Sequence, residues 1–204
     1  MIILGIDPGY AIVGYGVIEK DSRGNCRVID YGAINTPKEE DFPVRLAIIQ
    51  DGMKALMSKF KPDAVAVEEL FFNQNITTGI AVAEARGVIL CTAIQQVSKV
   101  FEFTPMQIKL AITGSGSADK KQVQFMTKTL LKLKSIPKPD DAADALAVAL
   151  CLAQTNTKLL SSEVQVFTNN NLKKSDNSEL LKRRTNKWFI HWQEKFLCLM
   201  RTQP

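Results

Sequence analysis

The chain of 204 residues has a single histidine, His191, and four scattered cysteines, Cys26, Cys91, Cys151 and Cys198, with no C-x-x-C pair among them. So thin a supply of soft ligands argues against a structural zinc site. Cys91 and Cys151 lie among aliphatic residues in segments of helical pattern, so both are expected to be buried free thiols acting as small hydrophobes in a reducing compartment. Long apolar runs are missing too: none reaches the roughly 18 residues that a bilayer span needs. The N-terminus lacks the basic region and cleavage site of a signal peptide. These absences lead to the expectation of a cytoplasmic protein with no membrane partner.

What is present is enough apolar residue, 46% of the chain, for one well-buried core with an appendage. The net charge of +5 is unevenly spread. Residues 1–154 carry 17 Lys and Arg against 17 Asp and Glu, whereas residues 155–204 carry 9 against 4. A neutral body can still bind nucleic acid if its cations share one face, so net charge alone does not choose the partner.

The body reads as a succession of strands and helices. Ile2 to Asp7, Ile12 to Ile18 and Cys26 to Asn35 form three strands, and their short turn-rich links suit antiparallel hairpins. From Pro43, the residues Leu46, Ile49, Met53, Leu56, Met57 and Phe60 recur at helical spacing as a core stripe. Ala64 to Glu69 is a fourth strand, about 77–97 a second helix and Val100 to Thr104 a fifth strand, which implies a parallel pairing. Short helices follow at Met106 to Ile112 and Asp119 to Lys132, then one at Asp140 to Ala153 that opens with acids.

Beyond Gln154 the composition turns to Ser, Asn, Lys and Thr. The expected organisation is therefore a domain over 1–156 and a basic, polar, flexible tail over 157–204. Within that tail Trp188, Trp192, Phe196 and Leu199 recur at the spacing of a short amphipathic helix, near 186–200.

Two strands deliver carboxylates at their ends, Asp7 into the turn Pro8-Gly9 and Glu68 after Val67. Asp141 and Asp144, three apart on an Ala-rich helix, share one face. Asp7 could merely cap its turn, and Asp141 and Asp144 could serve the helix dipole. If the four acids converge, however, their repulsion calls for cations, and two Mg²⁺ ions of the kind that clamp the oxygens of a phosphoryl transfer fit that need.

Taken in order, Ile3-Leu4-Gly5-Ile6-Asp7-Pro8-Gly9, Val67-Glu68-Glu69-Leu70-Phe71, Gly114-Ser115-Gly116-Ser117-Ala118-Asp119-Lys120 and Asp141-Ala142-Ala143-Asp144-Ala145-Leu146-Ala147 resemble the motifs of the RuvC family of Holliday junction resolvases. The resemblance covers about residues 1–154. It implies an α/β, ribonuclease-H-like fold: a five-stranded mixed sheet, three antiparallel strands then two parallel, with helices on both faces. It also implies a homodimer that binds a four-way DNA junction during recombination and repair and nicks it symmetrically to leave 5′-phosphate and 3′-hydroxyl ends. The RuvA-RuvB branch-migration complex is its implied partner. Asp7, Glu68, Asp141 and Asp144 become the catalytic, metal-binding set, with Mg²⁺ as cofactor, two ions per site, and Mn²⁺ able to substitute.

On the same footing Phe71 matches an aromatic that stacks on bases near the exchange point, and Lys109 and Lys120 match backbone-contacting lysines. Lys121 and Lys128 are further DNA-binding candidates. Arg86-Gly87 also resembles a family position, and a glycine inside a helix is expected to answer to a close helix contact, so that pair is assigned to packing. Two rival readings remain at this point. An actin-like or sugar-kinase-type ATPase also opens on a strand and an Asp-x-Gly turn, but needs a second domain for which residues 1–154 leave no room. A non-catalytic junction-binding protein would tolerate loss of the acids.

Overall fold

The computed structural model describes residues 1–70, 76–97, 99–155 and 165–168, and Met1–Thr168 form one compact unit. Five strands come first in the expected roles: β1 (Ile2–Asp7), β2 (Ile12–Lys20), β3 (Cys26–Asn35), β4 (Ala64–Glu68) and β5 (Lys99–Phe103). β1 pairs antiparallel with β2 and β2 with β3, while β4 lies parallel to both β1 and β5. The helices are α1 (Phe42–Phe60), α2 (Ile76–Gln96), α3 (Pro105–Thr113), α4 (Lys120–Leu130) and α5 (Asp140–Gln154).

The sheet has one strand more than expected. β6 (Gln165–Thr168) runs antiparallel along the outer edge of β5, giving the order β3-β2-β1-β4-β5-β6. By composition its segment belongs to the expected flexible tail over 157–204, yet Val164-Gln165-Val166-Phe167-Thr168 is a short β-rich alternation inside a polar stretch. An unpaired strand edge supplies the partner that makes so short a run worth ordering. The remaining tail, including the stripe near 186–200, lies outside the described residues.

Helices cover both faces, which is why β1 and β4 read as unbroken apolar runs. One layer packs Leu4, Ile6, Val13, Val65 and Val67 against Ile49 and Met53 of α1 and Ala85 and Ile89 of α2. The opposite layer packs Ile3, Ala64, Ala66, Phe101 and Phe103 against α3, α4 and, above all, α5. The α1 stripe is core, as its spacing predicts. Cys151 is buried in the α5 layer, but Cys91 is exposed on α2, because aliphatic neighbours in sequence do not decide which face of a helix a residue occupies.

Glycines set how closely α5 approaches. A Cβ on Gly5 would land on the Ala145 carbonyl, one on Gly14 on the Asp141 carbonyl, and one on Gly16 within 2.8 Å of the Leu146 nitrogen. In register, Gly5 faces Gly16 and Asp7 faces Gly14 across the β1-β2 pair, so the helix backbone rides on a bare strip of strand backbone. Gly87 is the opposite case: nothing described lies within 4 Å of a Cβ built there, so the expected tight helix contact is absent among the described residues.

Candidate active site

The site forms where strand ends and helix starts meet. β1 and β4 are parallel, with Ile6 beside Val67, so the next residues, Asp7 and Glu68, leave the same end of adjacent strands. Period-two alternation puts both side chains on the α5 face, along with Ile3, Ala64 and Ala66. The glycine strip then lowers the first turn of α5, which carries Asp141, directly over Gly14 beside Asp7.

α3 and α4 complete the enclosure. α3 starts at Pro105 with a capping box between Thr104 and Gln107 and stops at Gly114, whose φ of 78° is left-handed. α4 starts with a second capping box, between Asp119 and Gln122. The result is a cleft of about 350 Å³ lined by Asp7, Glu68, Asp144, Lys109 and Lys120, with Pro105, Ile108, Val123 and Ala147 as its apolar wall.

Charge in the cleft is poorly compensated. Burial pushes the Asp7 carboxyl up to about 8, helped by the charges of Glu68, Asp144 and Asp141 and opposed by Lys120. Burial likewise lifts Glu68 to about 7, helped by Asp144 and opposed by Lys120 and Lys109. All four acids therefore belong to one electrostatic group, although Asp141 stands beside the cleft rather than in its lining.

Lys120 donates to Asp144 at 2.6 Å, and that hydrogen bond holds its ammonium charged above the ordinary range. Lys120 and Lys121 occupy the first turn of α4, where the helix dipole disfavours cations. Asp144 offsets that for Lys120; Lys121 is exposed and is not part of the cleft lining.

The donor set suits a hard divalent cation. It offers only carboxylate oxygens, the ligands that Mg²⁺ takes, and the raised Asp7 and Glu68 mark the negative charge that such an ion neutralises. Among the described residues no three acids stand at the spacing of a finished ligand set, and Asp144 faces Lys120.

Phe71 lies outside the described residues. A surface that motif reading singled out only in part runs outward along α4. Lys121, Phe125 and Lys128 recur on one side of that helix, and Lys132 follows just past its end in left-handed backbone. Phe125 is 58% exposed, and none of the three lysines has an ion-pair partner among the described residues. The signal was legible as a Lys-Phe-Lys-Lys progression at helical spacing.

The sequence model for crossover junction endodeoxyribonuclease RuvC matches residues 3–152, most of the chain and every element that builds the cleft. The chain belongs to the RuvC family. A crossover junction endodeoxyribonuclease RuvC of Halothermothrix orenii is 55% identical over 152 residues, covering 74% of this chain and 91% of the relative. The structure of Thermus thermophilus RuvC superposes with a TM-score of 0.70 at 36% identity, covering 76% of this chain and 94% of that one. Thermus thermophilus RuvC in complex with Holliday junction substrate gives a TM-score of 0.68 at 33% identity, with the same coverage. Family membership sets aside the ATPase reading and bears out the ribonuclease-H-like class. Among the described residues no helix is long and apolar enough to cross a membrane.

Proposed function

We propose that this chain resolves four-way DNA junctions by hydrolysing one phosphodiester per active site, with Asp7, Glu68, Asp141 and Asp144 holding two Mg²⁺ ions. The observation that carries this is the burial of Asp7 at the end of the central strand beside the charges of Glu68, Asp144 and Asp141, which together raise its carboxyl to about 8. A group so placed is expensive to keep unless its charge is used. Mg²⁺ or Mn²⁺ bound there supplies charge neutralisation to the oxygens of the reacting phosphate.

The chain's own residues do the rest. Asp7 and Glu68, fixed by adjacent parallel strands, set one side of the cation site, and the first turns of α5 set the other with Asp141 and Asp144. Lys120 and Lys109, on the cleft wall, would receive the DNA backbone, and Asp144, which Lys120 now holds, would then be free to help hold the metal. Lys121 and Lys128 extend the backbone contact along α4, and Phe71 stacks on bases at the exchange point. The apolar wall of Ile108, Val123 and Ala147 limits water around the reacting phosphate.

Each chain contributes one cleft and a junction must be nicked twice, so the working form is a homodimer whose two-fold axis matches that of the junction. The products carry 5′-phosphate and 3′-hydroxyl ends. The RuvA-RuvB complex delivers the junction, and the reaction takes place in the cytoplasm during recombination and repair.

The test is a synthetic four-way junction with Mg²⁺, with linear duplex as the control. The wild-type protein should nick the junction symmetrically and leave the duplex intact. Asp7→Asn should bind the junction with unchanged affinity and leave it uncut. Equal cutting of junction and duplex, or Mg²⁺-dependent nicking by Asp7→Asn, would overturn the proposal.

A further inference from the structure

Arg86 lies on α2, against the face of the sheet that looks away from the cleft. Its Nη2 pairs with Oε1 of Glu102, and its Nε donates to the main-chain carbonyl of Glu68 at 3.4 Å. Glu102 is 3% exposed and sits on β5 opposite Val67, with the next pair, Phe103 and Glu68, closing the register. One residue further, the Glu69 amide donates to the Phe103 carbonyl at 2.8 Å.

Stability alone does not account for this pair. Burying two charges costs more solvation than an apolar pair of similar volume, and such a substitution commonly leaves a fold as stable or more so. The layer on this face of the sheet, with Val65, Val67, Ala85, Ile89 and Val100, is apolar, and the half-buried Glu69 is the one other charge that acts on Arg86 among the described residues. What a guanidinium adds is a rigid fork of donors that can hold two acceptors in fixed directions at once. Here the two acceptors are a buried carboxylate and the peptide carbonyl of an acid that enters the cleft from the other face. Glu68 is the last residue of β4, and the peptide that follows it is held at both ends, its amide by the Phe103 carbonyl and its carbonyl by Arg86.

We propose that Arg86 is a positioning residue: anchored by Glu102 behind the sheet, it fixes the Glu68 peptide and so the direction in which the Glu68 side chain enters the cleft. This rests on the assignment of Glu68 to the active site made above. The pair gives Arg86 polar partners at a strand end, beside the packing role expected of Arg86-Gly87.

The experiment compares Arg86→Lys, the double variant Arg86→Met with Glu102→Leu, and Glu68→Gln as the control for the site. Thermal melting, junction affinity without metal, the single-turnover cleavage rate and the Mg²⁺ concentration for half-maximal cleavage are measured for each. The double variant should melt no lower than wild type, because no unpaired charge is left buried, and should bind junction within twofold of wild type. Its cleavage rate should fall at least thirtyfold, and half-maximal cleavage should need several times more Mg²⁺. Arg86→Lys should keep the pair with Glu102 and much of the stability while the rate stays at least tenfold down, since one ammonium cannot reproduce the fork. A folded double variant that cleaves within threefold of wild type while Glu68→Gln is inactive would overturn the role of Arg86 and leave the site intact. A rate loss matched by lost junction affinity would also overturn it. Cleavage by Glu68→Gln would overturn the assignment of Glu68 and the proposal with it.

Discussion

The ammonium of Lys120 stands 2.6 Å from a carboxylate oxygen of Asp144, so a residue assigned to DNA rests on a residue assigned to metal. Lys120 also opposes the rise of both Asp7 and Glu68. On the proposed function, losing it removes a phosphate contact together with the cation that opposes the rise of Asp7 and Glu68. Lys120→Gln is expected to lower the single-turnover cleavage rate at least tenfold while junction affinity falls less than threefold. The lysine is 59% exposed, so the ion pair adds at most about 1 kcal/mol and the melting temperature should move by less than about 4 °C. A drop in rate accompanied by unfolding would contradict this.

The pH dependence of the metal-free protein follows from Asp7. Its carboxyl titrates near 8 in the fold against an ordinary 3.8, so the native state keeps a proton that the unfolded chain has already lost. Stability from this group is complete below about pH 4, declines as pH rises and is gone above about 8. Glu68, raised from 4.5 to about 7, adds to the same slope. Asn at position 7 mimics the protonated form. Metal-free Asp7→Asn should therefore melt with wild type near pH 4 and several degrees above it at pH 8, a difference on the order of 3 kcal/mol. Melting curves at both values, repeated with excess Mg²⁺ to flatten the wild-type slope, check this.

Gly5 has no space for a methyl group, since its Cβ would meet the backbone of Ala145 and Ala149 and neither can swing aside. Gly5→Ala should cost about 3 kcal/mol, the upper part of the usual range for overpacking. Protein that still folds should cleave poorly, because α5 carries Asp141 and Asp144 away from Asp7 when it lifts. Gly87→Ala, in open space on a helix, should instead raise stability by about 1 kcal/mol. Denaturant titration of both variants distinguishes the two glycines.

Reversing charge on the outer line of α4 should weaken binding without touching chemistry. For Lys128→Glu with Lys132→Glu, the dependence of junction affinity on salt should become shallower by about 0.9 per lost phosphate contact, close to 2 in all. The cleavage rate at saturating protein should hold. An unchanged salt slope would show that the line does not meet DNA.

Much of this was legible in residue order. The central strand, the acid at its end, the crossover through α2 and the basic helix each have a local signature, and the four acids could be named because strand ends and a helix face confine where they point. Three features had none. The close approach of α5 depends on Gly5, Gly14 and Gly16 lying in register across two strands, and single glycines in a strand read equally as turns or bulges. The Arg86–Glu102 pair joins residues on different elements, and each looks like ordinary surface charge by itself. β6 is too short to stand out from its polar surroundings and exists only because β5 offers an edge.

The glycine strip also bears on how this enzyme can change over time. Where α5 crosses β1 and β2, its main chain meets the strands at Gly5 and Gly14, and the strands contribute no side chain there as a spacer. While Gly5 and Gly14 are kept, the spacing between the strand-borne and helix-borne acids is set by peptide dimensions and not by side-chain size. Aliphatic residues elsewhere in the core are left free to be exchanged for one another, and the reacting centre is insulated from that turnover.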